Sequence, residues 1–179
     1  MGVHNSLSPV LISNYECDFE LIVVETKVGR KQIRLITGYW PQEDWDDEHR
    51  APFFMALDKE ISNALADRKS VFVAMDANCK MGSEYIPQDP NNMSKNGEIL
   101  AEIVDRNALV VANGVQEKCY GVITLARSTK DGRIERSVIN IVLVSPDLEN
   151  YLVSIKIDEE RVDVLTKITT NKQGKVLKT

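Results

Sequence analysis

The segment Val71-Phe72-Val73-Ala74-Met75-Asp76-Ala77-Asn78 restricts this chain more than any other stretch. An apolar run rich in β-branched residues ends on Asp-Ala-Asn. Such a run reads as a buried strand that delivers a carboxylate and an amide to the rim of a sheet. In an extended chain, residues i and i+2 point to the same side. Asp76 and Asn78 then face one cavity, a charged acceptor beside a neutral donor and acceptor. That pair suits holding a phosphate oxygen, orienting an attacking water, or binding a hard metal ion. The competing reading is structural: a strand end closed by an Asx-type turn.

The chain has 179 residues, enough to bury the core of one domain spanning residues 1–179. Its 43% hydrophobic and 27% charged content is ordinary for a soluble globular protein. No apolar run approaches a membrane span, and the N-terminus lacks the basic-then-apolar layout of a signal peptide. Cys17, Cys79 and Cys119 show no metal-ligand spacing. They read as reduced thiols of an intracellular protein, nuclear or cytoplasmic. A net charge of −5 argues against gripping nucleic acid by bulk electrostatics alone. It leaves open an enzyme that meets a phosphate through a metal ion.

The pattern predicts alternating strands and helices, then strands only. Val10 to Ile12 is a short strand. Phe19 to Lys27 and Gln32 to Tyr39 form a hairpin about Val28-Gly29-Arg30. Gln42 to Glu48 is an acidic loop leading into a helix, with Asp46 and Asp47 as candidate N-caps and Pro52 in its first turn. Phe54, Leu57, Ile61, Ala64 and Leu65 recur at helical spacing. Ser70 to Met75 is the buried strand. Gly82 to Asn96 is a long loop of the kind that often carries function. Gly97 to Asn107 is a second helix and Leu109 to Ala112 another strand. Cys119 to Arg127 and Ile134 to Ser145 flank the turn Lys130-Asp131-Gly132-Arg133. Tyr151 to Ile157, Val162 to Thr169 and Lys175 to Leu177 complete the set, the last two joined at Asn171 to Gly174. No internal repeat is visible.

Four segments in this order resemble the endonuclease/exonuclease/phosphatase superfamily of DNase I-like enzymes, most of all the endonuclease domains of non-LTR (LINE-type) retrotransposons. Ile36-Thr37-Gly38-Tyr39-Trp40-Pro41 resembles that family's strand ending in a Tyr two residues before a Pro. Met75-Asp76-Ala77-Asn78 resembles its Gly-Asp-Phe-Asn block. Gly97 through Leu109 to Asn113 is similar to its helix and the strand ending in Asn. Thr124, followed by Glu135 to Ser145 with Ser137 and Asn140, is similar to its Thr strand and Ser-x-Ile-Asp block. The resemblance implies an α/β fold, a layered β-sandwich with flanking helices, present in part.

It also implies roles. Asp76 would match the catalytic aspartate that orients or deprotonates the attacking water, and would be the metal contact for Mg²⁺. Asn78 would contact the scissile phosphate, and Tyr39 would place a phenol near it. Asn140 would stand in the catalytic Asp position. Thr124, Ser137 and Asn113 would lie on the substrate side, and the substrate would be DNA. Outside the motif context, Tyr39 and Thr124 are ordinary strand residues.

The departures weigh against turnover. Asn140 stands where the family has Asp, and an amide cannot carry the charge a metal site or a histidine partner needs. The family's opening Asn strand and metal-binding Glu have no match, since Met1-Gly2-Val3-His4 resembles a strand from its middle. The chain reaches Thr179 about where a Ser-Asp-His block is expected. His4 and His49 are no substitutes; His49 sits in an acid-rich first turn that suits the helix dipole. The expectation is a phosphodiesterase-type domain, retroelement endonuclease by descent, weak or inactive as it stands. Two alternatives remain: a non-catalytic binding or oligomerisation module, and a phosphoesterase of the same superfamily with a non-DNA substrate. Strands apolar on both faces, such as Leu21-Ile22-Val23-Val24 and Ile141-Val142-Leu143-Val144, predict a homo-oligomer that buries edge strands or an uncovered face.

Overall fold

The computed structural model describes residues 7–16, 20–128, 132–157, 168–170 and 176–178. Its frame is a six-stranded sheet: β1 (Val10–Glu16), β2 (Glu20–Val28), β3 (Lys31–Tyr39), β4 (Ser70–Asp76), β5 (Val110–Val111) and β9 (Asn140–Val144). Their spatial order is β1-β2-β3-β4-β9-β5. Three further strand pairs lie outside it: β6 (Cys119–Tyr120) with β10 (Ile155–Lys156), β7 (Leu125–Ser128) with β8 (Ile134–Ser137), and β11 (Ile168–Thr170) with β12 (Val176–Lys178). The helices are α1 (Asp47–Ala66), α2 (Lys95–Arg106) and the single turn α3 (Pro146–Glu149).

A two-residue turn at Gly29-Arg30 fixes the β2–β3 register from Val28↔Lys31 out to Glu20↔Tyr39. Gly29 sits at φ +62, which glycine adopts without steric cost. The α1 crossover returns the chain so that β4 runs parallel to β3. Alternation along β4 then separates two faces. Val71, Val73 and Met75 are buried with Phe53, Leu57 and Ile61 of α1 and Leu100, Ile103 and Val104 of α2 in one core. Phe72, Ala74 and Asp76 face the other way and are half-buried. Helix packing is close at Gly38, where an added Cβ would fall 3.3 Å from Phe53 and 2.6 Å from the Glu20 carbonyl.

Several boundaries differ from the pattern, each for a local reason. Asp46, not Asp47, is the N-cap of α1, its carboxylate accepting the His49 N–H at 3.0 Å. Pro52 therefore falls in the second turn, and the Glu48 carbonyl forgoes its i+4 donor at an exposed position. Helix α2 starts two residues early because Ser94 caps it, accepting from Gly97 N. Leu109 to Ala112 shortens to β5 and a 3-10 turn at Ala112–Gly114. The run expected at Ile134 to Ser145 splits into β8 and β9, because the Thr124 hydroxyl takes the amides of Ile139 and Asn140. Cys119 to Arg127 splits likewise into β6 and β7, and Tyr151 to Ile157 keeps only β10. Residues 158–167 and 171–175, with parts of the expected terminal hairpin, lie outside the described residues, as do 129–131 of the β7–β8 turn and Cys17.

Candidate functional site

Sheet register brings three of the sequence-named residues into line. Tyr39 is opposite Asp76 across β3–β4, and Asp76 is opposite Asn140 across β4–β9. In-register neighbours present side chains on one face, Cβ to Cβ about 5 Å apart. Glu20, opposite Tyr39, extends this row by one strand. The row lies at the C-terminal end of β3 and β4, the face away from α1 and α2.

The turn after β4 completes the group. Asp76 Oδ1 accepts the Asn78 backbone N–H at 3.3 Å, so the Asx turn is present, while Asn78 lines a hollow that Asp76 does not. Asn78 sits at φ +40, a left-handed conformation that asparagine tolerates better than most residues. Its Nδ2 donates to the Trp40 carbonyl at 2.7 Å, while Trp40 N donates to the Asp76 carbonyl at 2.9 Å. These bonds lock the ends of β3 and β4 together. Among the described residues Asn78 Oδ1 and the Tyr39 hydroxyl carry no partner. Burial lifts the Asp76 carboxyl above its usual range, opposed by the Asn78 N–H. No cation is paired with it among the described residues.

Two of the remaining named residues, Asn113 and Thr124, act on the backbone of β9. Asn113 is buried; its Oδ1 accepts from Val142 N at 2.7 Å and its Nδ2 donates to the Asn140 carbonyl at 3.2 Å. Thr124 Oγ1 accepts from Ile139 N at 2.8 Å and Asn140 N at 3.1 Å. Asn140 is thus held from both sides while its own side chain is exposed. Ser137 is buried in the wall of a hollow of about 220 Å³, shared with Asn78, Lys80, Ser94, Glu135 and Ile139. Asn113, Thr124 and Asn140 line a second hollow of about 310 Å³ beside Lys156. Tyr39 and Asp76 line neither hollow.

Sequence reasoning missed the residue that ties this region together. Asn96 is fully buried on α2. Its Nδ2 donates to the Pro41 carbonyl at 3.0 Å and the Asn78 carbonyl at 3.3 Å, and its Oδ1 accepts from Arg50 Nη1 at 2.7 Å. No local signal marks it, because every partner is distant in sequence. Glu20 was legible in principle, since the two-residue turn fixes its partner.

Among the described residues, no three His, Cys, Asp or Glu side chains could share a metal ion. Glu43, an acidic neighbour on the loop after β3, already accepts the Asn96 N–H at 3.1 Å. One carboxylate flanked by amides does not complete the oxygen shell that Mg²⁺ requires. No helix among the described residues is long and apolar enough to cross a membrane.

No family model matches the chain, and no curated protein matches it in sequence. Its shape does have counterparts. The endonuclease domain of TRAS1, a telomere-specific non-LTR retrotransposon, aligns at a TM-score of 0.57 with 16% identity, covering 80% of this chain and 58% of that one. An endonuclease/exonuclease/phosphatase family protein from Bacteroides thetaiotaomicron aligns at 0.47 with 10% identity, over 89% and 50%. D. rerio TDP2, solved with a single-strand DNA product, aligns at 0.46 with 12% identity, over 76% and 51%. The chain spans half to three-fifths of the length of each. The likeness to TRAS1 shows the fold: α/β and DNase I-like.

Proposed function

We propose that this chain is a phosphodiester-handling domain descended from a retroelement DNA endonuclease, slow or inactive in hydrolysis as it stands. The observation that carries the reading is the row Tyr39–Asp76–Asn140, set by the strand register and backed by Asn78. In it, Asp76 orients or deprotonates a water, and a burial-raised carboxyl is the stronger base for that task. The Tyr39 hydroxyl and the Asn140 amide donate to non-bridging phosphate oxygens. Asn140 is where the chemistry fails: the amide binds but carries no charge. Cooperating catalytic groups fail together, so a partial set is very slow. DNA is the partner and Mg²⁺ the cofactor that the sequence resemblance implies. The protein is intracellular in this reading, and Cys79 and Cys119 are free thiols.

Supercoiled plasmid with Mg²⁺ tests it. The expected result is no appreciable nicking, with none gained in Asn140→Asp alone. Nicking that is abolished by Asp76→Ala and absent from a mock purification would overturn the inactive half of the reading.

A second property rests on a separate observation. β1 is an outer strand, and its residues Val10, Leu11 and Ile12 are 59%, 60% and 42% exposed. From Val10 to Tyr15 it carries neither charge nor proline, two of the guards of a sheet edge, and its one irregularity is a register shift between Leu11 and Ser13. The partner proposed is a second copy of this chain, paired antiparallel through β1. Light scattering should return a dimer that Leu11→Lys converts to monomer; a wild-type monomer at micromolar concentration refutes it.

A further inference from the structure

The hollow of about 220 Å³ opens beside Asn78, and Lys80 is the one cation among its described lining residues. The segment from Asn78 to Lys80 is pinned to the start of α2. Lys80 N donates to Ser94 Oγ at 3.0 Å, and Ser94 N donates back to the Lys80 carbonyl at 3.0 Å. Gly97 makes the approach possible, because a Cβ there would lie 2.0 Å from that carbonyl. Asn96 holds the Asn78 carbonyl from the same helix. Lys80 is therefore a cation on a fixed backbone, two residues from Asn78. Two residues reach at most about 7 Å, the order of one nucleotide step along a phosphodiester backbone.

The anions that share the hollow do not hold Lys80 firmly. Glu43 is engaged at the α2 N-terminus, where it accepts the Asn96 N–H. Glu135 lies 3.4 Å from Lys80 Nζ, beyond the usual hydrogen-bond distance, with the two side chains 33% and 29% exposed. A solvated, loosely spaced pair contributes little and exchanges readily.

Resting on the phosphodiester reading above, we infer that Lys80 binds the phosphate adjacent to the one held at the Asp76 row, with Glu135 as the anion that phosphate displaces. The arrangement gives a net acidic site one positive anchor for a polyanionic strand. It also makes Glu135 a weak competitor for the ammonium, one that a bound strand displaces.

The test titrates the full chain into fluorescein-labelled oligonucleotides, single- and double-stranded, following anisotropy at several salt concentrations. Lys80→Ala should weaken binding about fivefold or more and reduce the salt slope by about one ion. Lys80→Arg should stay within about twofold of wild type, and Glu135→Gln should bind more tightly than wild type. Far-ultraviolet dichroism confirms folding, and Glu135→Gln keeps the test valid if the alanine variant unfolds, since binding no tighter than wild type then overturns the inference. Wild-type binding that Lys80→Ala leaves unchanged overturns this inference and leaves the phosphodiester reading intact. No wild-type binding to either oligonucleotide overturns both.

Discussion

Truncating Asn96 tests whether the loops after β3 and β4 are held by helix α2 or only by the sheet. Asn96→Ala removes two donations, to the Pro41 and Asn78 carbonyls, and one charge-assisted acceptance from Arg50. Arg50 is itself buried, its Nε already lacks a partner, and its remaining contact is to Asp47, which is almost wholly exposed. Neutral bonds contribute about 1 kcal/mol each, and a buried charged one left half-made costs about 1.5–3 kcal/mol, so the loss should be about 3–5 kcal/mol. That is a large part of an ordinary domain's stability. Asn96→Asp separates the terms. It keeps an acceptor for Arg50 but turns a lone pair toward two carbonyls, so it should recover less than half of the loss. Urea unfolding followed by circular dichroism, with m compared across variants, reads both values. An Asn96→Ala midpoint equivalent to less than about 1 kcal/mol of destabilisation, or an Asn96→Asp variant as stable as wild type, would show that the sheet alone fixes these loops.

Three further outcomes follow from the same structure. Asp76→Asn should stabilise the chain at neutral pH: burial raises the Asp76 pKa, so its stabilising contribution is present below the unfolded value and lost as pH rises through the folded one. Urea midpoints of the two proteins should therefore differ at pH 7 and converge in acid; equal midpoints at pH 7 would contradict the burial argument. Although burial opposes it, hydrogen bonds from Lys31, Ser145 and Ser70 hold Asp147 down to about 2. The stability it contributes, about 1 kcal/mol at this partly exposed site, should be present above its unfolded pKa and fade as pH falls from about 4 to about 2. Asp147→Asn should flatten acid unfolding over that interval, and an unchanged profile would refute it. Gly38→Ala should cost about 1–3 kcal/mol, because its Cβ would meet the rigid Glu20 carbonyl at 2.6 Å; thermal unfolding measures it, and a neutral effect would mean β2 and β3 are less tightly opposed.

The sequence made the strands legible where alternation or β-branched runs were strong. The β2–β3 hairpin and β4 follow from such runs and from one two-residue turn. It made the ends of elements less legible, because side chains from elsewhere decide them. Thr124 interrupts the apolar run at Ile139 by capturing two amides, and no pattern within Ile134 to Ser145 signals that. The candidate site divides the same way. The Asp76 and Asn78 turn is local and readable. The alignment of Tyr39, Asp76 and Asn140 needs the pairing of strands separated by long connections, which only the resemblance supplied in advance. Asn96 left no trace, since an amide that joins two distant backbone carbonyls and the Arg50 guanidinium looks like any loop asparagine.

The two-faced alternation of β4 and β9 has an evolutionary consequence. Val71, Val73, Met75, Ile141 and Leu143 are wedged against the helices, while Asp76 and Asn140 occupy the opposite parity of the same strands. Drift at Asn140, whose side chain is exposed, leaves that packing untouched, although farther along the same parity Val144 is buried. A lineage released from selection for hydrolysis can therefore erode its chemistry one outward residue at a time and keep a cooperative scaffold throughout. The durability of such a scaffold lies in the half of each strand that faces the helices.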